Sequence, residues 1–171
     1  MRALASEILF TREQIHERVL ELGAAITADT PAGQEIAALI VLKGAFIFGA
    51  DLLRAIDRPT RIGFLETHKD PERPGVTDFV FTHPFSIEDA DLLIIEDILD
   101  SGITMNRLLA RLAARRPERI RTAILLDKTA RRSEEVRVEY SGFEIPDKWV
   151  VGYGLDDGET YRNLPHISYV E

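Results

Sequence analysis

Apolar positions along this chain follow two periods in alternation. Ile15, Val19, Leu22 and Ile26 recur at helical spacing, behind a capping box at Thr11-Arg12-Glu13-Gln14. Ile36–Leu42 is an uninterrupted apolar run, predicting a buried strand, and a helix is expected over Ala45–Ile56. Arg61–Thr67 and Thr77–Thr82 read as two strands joined by His68–Val76. That connection carries Pro71, Pro74 and Gly75 among charges, so it is expected to be exposed and mobile. Leu92–Ile95 predicts another buried strand, and Met105, Leu108, Leu109 and Leu112 form the inward stripe of a further helix. Ile120–Leu126 and Trp149–Tyr153 are expected to complete the central strands, with a small terminal strand at Ile167–Val170. Strands alternating with helices predict an α/β fold, a central, mainly parallel sheet flanked by helices. Ligands of such a sheet bind at the carboxyl ends of its strands.

Composition narrows this picture only modestly. The chain has 171 residues, 45% of them hydrophobic and 29% charged, an ordinary globular balance. There are no repeats, low-complexity tracts or linkers, so residues 1–171 are expected to form a single domain. No apolar run approaches the ~20 residues of a membrane span, and Met1–Glu7 has no secretory h-region. The absence of cysteine excludes disulfides and thiolate zinc sites and fits a cytoplasmic protein. A formal charge of −8 argues against nucleic-acid binding, although Lys128, Arg131 and Arg132 form a local basic cluster. Arg111, Arg115, Arg116, Arg119 and Arg121 are expected to solvate a helix end. The four histidines, His16, His68, His83 and His166, lack ligand spacing.

The densest chemistry lies at residues 92–105. An apolar run stops at Glu96 and Asp97, Asp100 follows, and Ser101, Gly102 and Thr104 open an amphipathic segment. This predicts a buried strand, a short acidic turn, and a helix whose free first-turn N–H groups and positive dipole end suit a phosphate. Carboxylates beside such a cradle suit ribose hydroxyls and Mg²⁺, because hard cations prefer oxygen ligands. Capping of the helix by Asp100 is the bland alternative.

Four ordered blocks extend the pattern: Leu42-Lys43-Gly44-Ala45-Phe46, Glu96 to Thr104, Leu126-Asp127-Lys128, and Trp149 to Asp156 followed by Arg162-Asn163-Leu164-Pro165. Together they resemble the hypoxanthine–guanine phosphoribosyltransferases, over most of the chain. The resemblance implies the type I phosphoribosyltransferase fold, with a small hood formed by terminal segments. It implies transfer of phosphoribose from 5-phosphoribosyl 1-pyrophosphate (PRPP) to N9 of a 6-oxopurine, hypoxanthine or guanine, releasing pyrophosphate in purine salvage. The cofactor would be Mg²⁺ and the assembly a homodimer or homotetramer.

Carried over by position, Glu96 and Asp97 would bind the ribose hydroxyls, and Asp100 would be catalytic, handling the proton on purine N7. Asp100, Ser101, Gly102, Ile103 and Thr104 would wrap the 5′-phosphate. Lys43 and Gly44 would meet the pyrophosphate after a cis Leu42–Lys43 peptide, and Arg162 would grip it. Lys128 would donate to purine O6, Trp149 would stack on the base, and Val150 would offer backbone groups to its edge. Asp156 would border the purine and hold Mg²⁺ with Glu96 and Asp97.

One departure stands out. The family places a Ser-Tyr pair on a mobile lid, whereas this chain reads Leu65-Glu66-Thr67-His68-Lys69-Asp70. His68–Gly75 is therefore expected to close, if at all, through charges such as Lys69 or Arg73. The altered lid leaves open a related transferase with another acceptor base. A PRPP- or nucleotide-sensing regulator on the same fold is the rival from outside enzymes.

Overall fold

Thr11 opens the first helix as expected. Its hydroxyl accepts from the Gln14 N–H at 3.3 Å, and Gln14 Oε1 accepts from the Thr11 N–H at 2.8 Å. The computed structural model describes residues 3–69, 77–83 and 85–171. In chain order the elements are β1 (Leu4–Phe10), α1 (Arg12–Ala28), β2 (Ile36–Leu42), α2 (Phe46–Ala55), β3 (Thr60–Lys69), β4 (Thr77–Thr82), β5 (Asp91–Leu99), α3 (Ile103–Ala113), β6 (Arg119–Asp127), β7 (Tyr140–Glu144), β8 (Val150–Val151) and β9 (Ile167–Val170), with a 3-10 turn at Thr129–Arg131.

A six-stranded sheet runs β4-β3-β2-β5-β6-β7. Its strands are parallel except for the antiparallel edge strand β4. The apolar runs of β2 and β5 are buried on both faces, as expected of central parallel strands. On one face α1 and α2 pack Ile15, Val19, Leu22, Ile26, Phe48 and Leu52 against β2, β5 and β6. On the other, Met105, Leu108 and Leu112 of α3 meet Leu39, Ile94 and Phe79. Each such fully buried side chain contributes about 1.5–3 kcal/mol through removal of apolar surface from water.

A second sheet, β1-β9-β8, joins the two ends of the chain and forms the expected hood. Here Trp149–Tyr153 departs from expectation. It adds no strand to the central sheet, because Val150 and Val151 pair with Tyr169 and Ser168 of β9, and positive φ at Gly152, Tyr153 and Gly154 ends the strand at once. The sequence reading also did not anticipate β1 and β7, since exposed Leu4 and Ile8 and the polar Tyr-Ser-Gly-Phe-Glu run leave no clear alternation. The connection after β3 is shorter than expected, because pairing of His68 with Asp78 and of Lys69 with Thr77 prolongs the hairpin. Residues 70–76, where most of the expected lid falls, lie outside the described residues. So does Arg73.

Candidate active site

Sheet order brings the predicted blocks together. Strands β2, β5 and β6 are neighbours, so their carboxyl ends present Lys43-Gly44, Asp100 and Lys128 side by side. The Lys128 N–H donates to Leu99 O at 3.0 Å, tying the last two segments together.

The acidic pair departs from its predicted setting. Glu96 and Asp97 belong to β5 rather than to a turn after it, because pairing with β6 continues through Leu99↔Asp127 and holds the backbone extended. Burial pushes the Glu96 carboxyl well above the ordinary carboxylate range, and the neighbouring Asp97 charge adds to the shift. Burial also raises Asp97, opposed by hydrogen bonds from the Glu96 side chain and the Ile98 N–H and by the Arg162 charge. Carboxylates disfavoured by dehydration suit a cation or sugar hydroxyls that replace the missing water. Asp97 reaches this position because residue 44 is glycine: a methyl group there would collide with its carboxylate. The Leu42–Lys43 peptide is cis.

The turn after β5 is held from below. Arg132, largely buried, donates from Nε to Asp100 O at 3.0 Å and from Nη2 to Leu99 O at 3.3 Å, and it pairs with the Asp127 carboxylate. Ser101 O accepts from the Ser133 and Glu134 N–H groups at 3.0 Å each. Gly102 (φ +89°) is the N-cap of α3, with no side-chain cap, so Asp100 does not cap the helix. Of the first-turn donors, the Ile103 N–H reaches Ser101 Oγ at 3.5 Å. An uncapped helix start suits an anion, and here that start comprises Ser101, Gly102, Ile103 and Thr104. The Asp100 carboxylate faces Arg131 Nε at 3.4 Å, and its enclosed Oδ1 accepts no hydrogen bond.

Lys128 is no solvated loop lysine. Its side chain is 8% exposed, and Nζ donates to Lys148 O at 2.8 Å, with Asp147 Oδ1 at 3.5 Å. The backbone fixes one donor direction beside Trp149, whose indole stays half exposed and donates to Asp156 O at 3.3 Å. Val150 is buried.

The hood loop closes on the β2 end. Arg162 donates from Nη1 to Gly154 O at 2.7 Å and pairs through Nη2 with Asp156 at 2.9 Å and Glu159 at 3.3 Å. Lys43 Nζ reaches Glu159 at 3.1 Å. Asp156 thus sits on Arg162, and among the described residues no group of three or more His, Cys, Asp or Glu side chains forms a metal cage. The three predicted metal carboxylates are not gathered into one. Mg²⁺ commonly binds through one or two carboxylates with substrate phosphates and water, and Glu96 with Asp97 provides such a pair.

Sequence reasoning gave Arg132, Asp127 and Glu159 no individual role. Arg132 acts on backbone carbonyls and Glu159 reaches Lys43 from the far end of the chain, contacts that leave no spacing signal. The arginine expectation holds for Arg111, Arg115 and Arg116, exposed at or just after the end of α3, and changes for the other two. Arg119 and Arg121 lie on β6, where Arg121 is buried against Asp91 at 2.8 Å. Arg111 and Arg115 lie over Phe79 and Phe81 rings at 5.3–5.8 Å.

A sequence model of the phosphoribosyl transferase domain matches residues 11–158. The chain belongs to that family. It is 40% identical to a hypoxanthine-guanine phosphoribosyltransferase of Dictyostelium discoideum, over 96% of this chain and 95% of that relative. It is 38% identical to one from Aquifex aeolicus, over 100% and 98%. A crystal structure of a hypoxanthine-guanine phosphoribosyltransferase from Bacillus anthracis superimposes with a TM-score of 0.92 at 37% identity, covering 99% of this chain and 100% of that one. The family's fold therefore accounts for nearly the whole chain, hood included.

Proposed function

We propose that this chain transfers phosphoribose from PRPP to N9 of hypoxanthine or guanine, yielding the nucleotide and pyrophosphate in purine salvage. The observation that carries the reading is the convergence of Lys43-Gly44, the Asp100–Thr104 turn and Lys128 at three adjacent strand ends. The similarity to hypoxanthine-guanine phosphoribosyltransferases over the full length supports it.

The 5′-phosphate sits on the uncapped start of α3, and Glu96 and Asp97 hold the ribose hydroxyls. The purine lies against Trp149, with Lys128 donating to O6 and the Val150 backbone at the base edge. Asp100, held over the cleft by the Arg132 clamp on its carbonyl, takes the purine proton at N7. The C1′–N9 bond forms as the C1′–oxygen bond breaks, and pyrophosphate leaves with the electron pair toward Lys43 and Arg162. Glu96 and Asp97 would hold Mg²⁺, with Asp156 close by on Arg162, and the ion supplies neutralisation of the departing pyrophosphate charge.

Lys128 sets the choice of base. A buried donor left unpaired is costly, so a 6-amino purine is rejected strongly. A second reading, a transferase with a different acceptor base, rests on the segment Glu66-Thr67-His68-Lys69 standing where the family places a Ser-Tyr pair. The same reading places the protein in the cytoplasm as a homodimer or homotetramer. No described helix is long and apolar enough to cross a membrane.

Incubation with PRPP, Mg²⁺ and each purine in turn, with nucleotide detected by chromatography, tests the proposal. IMP or GMP is expected. Product from another base alone would support the second reading, and no product with any base would remove both.

A further inference from the structure

The cations assigned above to pyrophosphate already hold an anion, the carboxylate of Glu159. It lies 3.1 Å from Lys43 Nζ and 3.3 Å from Arg162 Nη2. These two cations come from different elements, one directly after β2 and one from the loop between β8 and β9. Glu159 thus bridges the two of them.

Its backbone conformation is unusual for a glutamate. Asp157 and Thr160 exchange N–H···O bonds of 3.3 Å in both directions, closing a tight turn with Gly158 at φ +60° and Glu159 at φ +68°. Two successive positive φ values define a type I′ turn, whose central positions favour Gly, Asn or Asp. A glutamate there is held against its own preference, an outlier of the kind that accumulates at functional sites. The Glu159 N–H donates to Asp156 Oδ2 at 2.8 Å, fixing the turn to the loop that carries Arg162.

Resting on the reading of Lys43 and Arg162 as pyrophosphate ligands, we infer that Glu159 is an internal stand-in for a pyrophosphate oxygen, sets the affinity for PRPP and pyrophosphate, and must be displaced when either binds. Lys43 and Arg162 also hold the Glu159 carboxyl below the ordinary range, so it stays charged. The contact is easily broken, because Lys43 and Glu159 are 66% and 65% exposed and exposed pairs are weak. A pyrophosphate carries several charges against one. In the free state the carboxylate keeps the two cations from repelling and orients them. Its displacement weakens anion binding and hence eases pyrophosphate release.

The test is calorimetric binding of magnesium pyrophosphate to the full chain, alongside KM for PRPP and for the purine. E159Q removes the charge and retains the shape, and should tighten pyrophosphate and lower KM for PRPP by about 2–10-fold. KM for the purine should not move. E159D keeps the charge and suits positive φ, but is one methylene too short for Lys43, and should fall between the two. Equal or weaker pyrophosphate binding by E159Q, E159D indistinguishable from the parent, or no pyrophosphate binding by any of them would overturn the inference. Tighter pyrophosphate binding by E159Q and E159D with no nucleotide formed from any purine would instead remove the transferase reading and leave this one standing.

Discussion

At the scale of single residues, two side chains carry opposite halves of the proposed chemistry. Asp100 does not cap α3, and its half-exposed carboxylate faces the Arg131 guanidinium at 3.4 Å, so its structural duties are small and it is free to act on a bound base. Asp100→Asn keeps the shape and removes the basicity. A fall in kcat of ~10²–10⁴-fold is expected, with PRPP affinity nearly unchanged in equilibrium binding. Activity near that of the parent would remove Asp100 from the mechanism. Lys128 is the reverse case, a buried ammonium directed by the Lys148 carbonyl. Lys128→Ala should lower kcat/KM for hypoxanthine about 10–100-fold, through KM for the base more than KM for PRPP. The unmodified protein should discriminate against adenine by a factor on the order of 10⁴. Comparable use of adenine and hypoxanthine would exclude the O6 assignment.

At the scale of elements, the apolar runs of β2 and β5 and the stripe of α3 were readable because parallel strands and amphipathic helices bury characteristic patterns. Trp149–Tyr153 misled for the same reason: two valines read as core, and nothing local says which sheet receives them. The strand–turn boundary at Glu96 was misplaced because a ladder to β6 decides it, and ladders are not local. The candidate site was legible as four blocks, but the parts that hold them in position were not. Arg132 works through two carbonyls, and Gly44 through the side chain it lacks. Gly44→Ala isolates that absence. Its methyl group would displace the Asp97 carboxylate and disturb the adjoining Lys43 segment. A misplacement near 1 Å costs about 10²-fold, so kcat/KM for PRPP should fall by that order, with the circular dichroism spectrum preserved. Retention of full activity would show that Asp97 need not sit on this turn.

At the scale of the whole molecule, chemistry and stability occupy opposite ends of the sheet. At the amino ends of β5 and β6, buried Asp91 pairs with Arg119 at 2.6 Å and Arg121 at 2.8 Å, and Arg121 donates to Thr30 Oγ1 and the Tyr140 hydroxyl. The hood is secured separately. The Tyr153 hydroxyl donates to Asp51 at 2.7 Å, joining the loop that carries Arg162 to α2. Burial, then the hydrogen bond to Asp51, raises the Tyr153 phenol above its ordinary value of 10.0. Such a group keeps its proton in the folded state at a pH where the unfolded chain has lost it. The difference in bound protons, unfolded minus folded, is then negative, and stability falls as pH rises. Tyr153 thus contributes fully below pH ~10, and its contribution declines above that by at most ~1.4 kcal/mol per pH unit. Tyr153→Phe keeps the ring and removes both the bond and the titration. It should cost about 0.5–1.5 kcal/mol at neutral pH and make the decline between pH 10 and 11 shallower than in the parent. Urea midpoints at pH 7, 9, 10 and 11 for both proteins check this, and parallel curves would show that the hood does not depend on this phenol.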